Sequence, residues 1–156
     1  MNITLTQRPT SRNRSTQAGI RSLVRRAVKL RGLYLHAADV SEPGLRVILR
    51  ENAGTLALLV VDLQAQLHSI GIKISAQGRW RGSTRRQLST WLLHAMPKNG
   101  IAWIRLLAHH ESALLQAFEQ AIVDASPELA LALRRQLPRL HGIHLDMDCL
   151  TGTARH

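Results

Sequence analysis

Along four stretches of this chain, apolar residues recur mostly at steps of three and four, a spacing that suits one element: a helix with a single buried stripe. Leu23, Ala27, Leu30, Tyr34 and Ala38 make the first stripe. Arg21, Arg25, Arg26, Lys29 and Arg31 take the other faces of that helix, which is expected to end near Val40. Ser41, Glu42 and Pro43 then read as a start signal, with Ser41 as N-cap and an acid near the positive helix end. The second stripe is Leu45, Ile48, Leu49, Ala53, Leu56, Leu59, Leu63, Leu67 and Ile70, and Gly71 is expected to stop the helix. Between Leu56 and Leu63 this helix is apolar nearly all round. Such a stretch is buried on every side, either at the centre of the core or between copies of the chain.

The third long helix is expected from Asn99 or Gly100 to about Ala125, with Ile104, Leu107, Glu111, Leu114, Phe118 and Ile122 on its stripe. Ser126, Pro127 and Glu128 restart the chain as N-cap, first-turn proline and first-turn acid. The fourth helix carries Leu129, Leu133, Leu137, Leu140, His144 and Met147, and Pro138 inside it predicts a kink. Between the second and third helices, residues 71–83 hold three glycines and read as a connection. A short helix follows from about Thr84 to Ala95, with Thr84 and Gln87 at capping-box spacing. No strand alternation competes. The fold class is therefore all-α, an antiparallel four-helix bundle with one long crossover carrying a short extra helix. Residues 1–15 read as a flexible basic arm, 16–150 as the bundle and 151–156 as a frayed tail.

At 156 residues the chain has the size of one domain. Aromatics are only 3%, so the core must come mostly from Leu, Ala, Val and Ile. The lone Cys149 excludes an intramolecular disulfide and a thiolate metal cluster, and fits a reducing compartment. No run approaches the ~20 apolar residues of a membrane span, and the N-terminus lacks the apolar centre of a secretory signal. A cytoplasmic location follows as the expectation. The charge is strongly one-sided: 21 Lys plus Arg against 10 Asp plus Glu, formally +11. Such a field draws polyanions, nucleic acid among them.

Four segments carry a family resemblance: GLYLHAAD in the first helix, DLQAQLHSIG closing the second, RGSTRRQLSTWLLHAMPKNGIAWIRLLAHHESALLQAFEQAI, and RRQLPRLHGIH in the fourth. In order and spacing the chain resembles a bacterial family of unknown function classed as ferritin-like four-helix-bundle proteins, over roughly residues 20 to 150. The resemblance implies a fold; it does not fix an activity. It also places Gln136 and His144 on polar positions of the family pattern.

The ferritin-like fold often hosts two metal ions, held by a Glu from each of two helices and Glu-x-x-His from the other two. That supply is missing here. The first helix has no acid between residues 16 and 38, and neither Glu51 nor Asp62 is followed by a histidine three residues on. A reduced set remains: Glu111 on the third stripe, with His141 and His144 on the fourth helix, as candidate ligands for a single iron, manganese or zinc ion. The competing reading makes Glu111, Gln136 and His144 a polar core network that fixes helix register. His109 and His110 are expected to flank the bundle, and His36, His68 and His94 to sit at surface or boundary positions. Trp91 and Trp103 are expected as core anchors.

Arg79, Arg81, Arg85 and Arg86 surround Trp80 and, with Arg8, Arg12 and Arg14 of the arm, form a candidate polyanion-binding set. No phosphate loop, nucleophile elbow or Cys–His pair is present, and catalysis is not expected. The leading reading is a non-catalytic protein that binds a partner or self-associates as a homo-oligomer. One alternative is a basic nucleic-acid-associated protein; the other is a divergent metal-binding oxidoreductase or metal-storage protein.

Overall fold

A computed structural model describes residues 11–70 and 100–153, apart from the side chains of Arg12, Asn13 and Thr153. The described residues form helices α1 (Ser11–Asp39), α2 (Pro43–Ser69), α3 (Gly100–Asp124), α4 (Pro127–Arg134) and α5 (Leu137–Thr153), and no strand. With α4 and α5 following one another along a single path, these make four helical rods packed on one another. None of the described helices is long and apolar enough to cross a membrane.

The stripes meet largely as their spacing requires, although Ile70 of the second stripe is exposed and Leu45 and Ile48 are half-buried. Leu23, Ala27, Leu30, Tyr34 and Ala38 of α1 are all buried, and Ile20, Val24, Leu33 and Ala37 widen the stripe to the arc expected of a core helix. From α2 come Leu49, Ala53, Leu56, Leu59, Leu63 and Leu67; from α3, Trp103, Leu107, Leu114 and Phe118; from α4 and α5, Leu133, Leu140, Ile143 and Met147. Side chains of this size each contribute roughly 1.5–3 kcal/mol on burial, which is where the bundle's stability resides. Helix α1 packs most extensively on α2, and α3 bridges α1 to α5.

The turn from α1 into α2 departs from the expected cap. Glu42 holds the N-cap position, without a side-chain bond to the helix, and Pro43 opens α2. The Ser41 hydroxyl instead donates back to the Ala37 carbonyl at 2.6 Å. Arg46 completes the turn: its Nε donates to Ala38 O at 3.1 Å and its Nη2 to Ser41 O at 2.9 Å. An α2 side chain thus bonds the Ala38 carbonyl, which also accepts from Ser41 N–H at 3.3 Å, and the Ser41 carbonyl of the turn, tying the end of α1 to the start of α2.

The fourth rod also departs from expectation. Ser126 is the N-cap of α4 and Pro127 its first residue, as the sequence signals. The kink expected at Pro138 is instead a break at Arg135 and Gln136, where Gln136 N–H tightens onto Leu133 O at 2.9 Å. Pro138 has no N–H for the Arg134 carbonyl one turn back, and its ring crowds that carbonyl, so the ladder is interrupted upstream of the proline. Past Leu150 the helix continues to Thr153, and α1 starts at Ser11, inside the segment read as the arm. The short helix expected over 84–95, with Trp80, Trp91 and His94, lies outside the described residues.

Candidate functional site

Three of the four rods contribute fully buried polar atoms to the interior, and the fourth supplies a half-exposed imidazole. Helix α3 places Glu111 on its stripe between Leu107 and Leu114, where the residue is 0% exposed. Its Oε2 lies 2.7 Å from Nδ1 of His144 on α5. His144 is half-buried, and its other nitrogen, Nε2, faces Asp148 Oδ2 at 3.4 Å one turn further along α5. The result is a chain, Glu111–His144–Asp148, leading from the core to an exposed carboxylate.

The opposite side of Glu111 is different. Its Oε1 is buried and has no hydrogen-bond partner among the described residues; the same holds for Tyr34 Oη of α1 and Asn52 Nδ2 of α2. Asn52 lies near enough to the Tyr34 hydroxyl to act on its ionisation, yet the two form no bond of ordinary geometry. Burial, with the Glu111 charge nearby, pushes the Tyr34 hydroxyl far above its ordinary range, so it stays protonated.

Burial raises the Glu111 carboxyl above its ordinary value, and the bond from His144 only partly opposes that. His144 is raised in turn, first by its bond to Glu111 and then by the charges of Glu111 and Asp148. An arrangement of this type can hold and pass a proton between surface and core. It is poorly made for a metal ion: Glu111 spends one oxygen on His144, His144 spends its nitrogens on two carboxylates, and His141 is exposed. Among the described residues no group of three His, Cys, Asp or Glu side chains could hold a metal ion.

Glu111 and His144 are thus brought together, and Gln136 is not with them. Its Nε2 donates to Asp62 of α2 at 3.1 Å, its Oε1 accepts from Arg139 Nη1 at 2.6 Å, and Arg139 also pairs with Asp62. That trio is a separate clasp between α2 and α5. It holds the Asp62 carboxyl below its usual range, chiefly through Arg139. Trp103 is buried, and the half-buried His36 ring sits 5.3 Å from it. His109 is exposed; His110 is half-buried, and desolvation lowers its pKa, with Lys29 and His109 adding to the effect.

The sequence reading missed Tyr34 and Asn52 as members of the polar interior. The signal for Asn52 was available: it stands at helical spacing between Leu49 and Leu56, and among the described residues it is one of two buried polar ones. Tyr34 was read as part of the apolar stripe, which it is, except for its hydroxyl.

Of the candidate polyanion-binding residues, Arg14 is exposed on α1; Arg8, Arg79, Arg81, Arg85 and Arg86 lie outside the described residues, as does the Arg12 side chain. What the structure adds is the outer face of α1. Arg14, Arg21, Arg25 and Lys29 follow one another along the side turned away from the core, flanked by Arg26 and Arg31, and all six are exposed. Helix α1 contains no acid before Asp39. Among the described residues, no ion pair involves Arg14, Arg21, Arg25, Arg26 or Arg31.

Compared with known proteins, the chain matches no family model, no curated protein and no solved structure.

Proposed function

We propose that this chain is a non-catalytic four-helix-bundle protein that works by binding, and that its partner is a polyanion, nucleic acid foremost, taken on the outer face of α1. One observation carries this reading: four exposed cations, Arg14, Arg21, Arg25 and Lys29, along the outer face of α1, flanked by exposed Arg26 and Arg31, with no acid among them. Arginines are suited to such a face, because a guanidinium grips phosphate through two donors at once. Like charges at three- and four-residue spacing cost an isolated helix a few tenths of a kcal/mol per pair, and a bound polyanion reverses that cost. The +11 balance of the whole chain adds long-range attraction.

The ferritin-like topology, with one long crossover between α2 and α3, belongs to the same proposal. It is supported by His36, near the end of α1, meeting Trp103, near the start of α3. In this reading the Glu111–His144 pair is a register lock between α3 and α5. The metal-dependent alternative is not favoured, because Glu111 Oε2 and both His144 nitrogens already face one another or Asp148, leaving Glu111 Oε1 as the open oxygen of the set.

The test is binding to duplex DNA over a range of salt. Affinity is expected to fall linearly on a log–log plot, by about 0.9 per phosphate contact. Absence of binding at low salt would remove the reading.

A further inference from the structure

The outward side of α2 presents a second, unrelated surface. Val47, Glu51, Gly54, Leu58, Val61, Ala65 and His68 follow one another at alternating steps of four and three, and every one of them is exposed. They lie on the side of α2 opposite Leu49, Leu56, Leu63 and Leu67, which face the core. Leu58 is 57% exposed and Val61 60%, in the stretch that is apolar nearly all round. Seven-residue spacing of this type is the seam of a coiled coil, made to lie against another helix.

We propose that this seam pairs with the same seam of a second copy, the two α2 helices running antiparallel. The sequence is complementary to itself in that arrangement. A two-fold axis midway between Leu59 and Val60 sets Leu58 opposite Val61 of the other copy, Gly54 opposite Ala65, and Glu51 opposite His68. Each layer is sensible: two apolar side chains at the centre, two small residues that let the helices approach, then a carboxylate facing an imidazole at either end. A parallel pairing would instead stack Glu51 on Glu51 and Gly54 on Gly54, a like-charge contact and a gap. Because the symmetry is closed, each residue meets its counterpart twice and the assembly stops at a dimer. One helix pair is a small interface, so the association depends on concentration. The proposal uses none of the α1 cations and stands apart from polyanion binding.

The experiment is sedimentation of the full chain over a concentration series, followed by cysteine cross-linking in a Cys149→Ser background. The wild type is expected to pass from monomer to dimer. Leu58→Glu should weaken dimerisation by more than about tenfold. Gly54→Leu should do the same while leaving the fold intact, since nothing lies within 4 Å of where a Cβ would stand at Gly54. Mixing Gly54→Cys protein with Ala65→Cys protein should give a cross-linked heterodimer. Neither should cross-link alone, because the two Gly54 positions lie about 16 Å apart along the antiparallel seam. A chain that stays monomeric, a dimer indifferent to Leu58→Glu and Gly54→Leu, or a Gly54→Cys protein that cross-links to itself would each overturn the proposal.

Discussion

Tyr34, Asn52 and Glu111 raise a question of cost. A buried polar atom without a bond costs about 1–3 kcal/mol, more than a satisfied bond returns. Tyr34 Oη, Asn52 Nδ2 and Glu111 Oε1 lack partners among the described residues. Removing only the hydroxyl of Tyr34 leaves the ring's packing in place, since the side chain is fully buried. Tyr34→Phe is therefore expected to leave stability unchanged or raise it by up to about 1 kcal/mol, read by urea denaturation. A loss of 2 kcal/mol or more on that order would mean the hydroxyl is bonded in solution. The sequence showed Glu111 and His144 as polar residues on apolar stripes, and that was enough to suggest that they meet. It did not show Gln136 turning to Asp62, because a stripe position gives a direction from the helix axis and not a partner. Residue-scale pairing across 74 positions of chain depends on how far each helix slides, which periodicity does not record.

Between elements, the Glu111–His144 contact ties α3 to α5, and its protonation makes that tie depend on pH. Both groups bind a proton more tightly in the folded chain than in the unfolded one. The Glu111 contribution is fully present below its ordinary value of 4.5 and is lost as pH rises through its raised folded value. The His144 contribution is present below 6.5 and is lost as pH rises through a folded value above that. From mildly acid to alkaline pH the wild type is thus expected to lose stability. Glu111→Gln combined with His144→Gln should flatten that slope in thermal melts across the pH range. A wild type that gains stability over the same interval would contradict the pairing. Element boundaries were legible where local chemistry fixed them, as with Pro127 opening α4, although Ser126 before it makes no side-chain capping bond. They were less legible where two residues compete for one role. Ser41 looks like a cap, yet its hydroxyl is taken by the carbonyl of Ala37 and Glu42 holds the position. Pro138 announces an interruption, but the ladder fails one turn earlier, at the carbonyl that its ring crowds.

At the scale of the whole molecule, composition and spacing dictated an all-helical chain with its core in Leu, Ala, Val and Ile, and the helices pack on those stripes. Which outer faces stay open was not legible, because a stripe pattern shows what is buried and leaves the remainder undivided. The structure separates two such faces, a cationic one on α1 and an apolar one on α2. Salt acts on them in opposite directions. It would screen the proposed phosphate contacts on α1, and it would also screen the repulsion between two copies that each carry +11, which favours the proposed α2 seam.

The most direct test of the binding face compares two pairs of charge neutralisations that change net charge equally. Arg21→Gln with Arg25→Gln removes two cations from the α1 face; Arg134→Gln with Arg135→Gln removes two exposed cations at the end of α4. Measured as duplex-DNA affinity against salt, the first pair is expected to lower the log–log slope by about 2 and the second to leave it close to wild type. Equal losses from both pairs would mean that only the total charge of the protein matters, and the α1 face would lose its role.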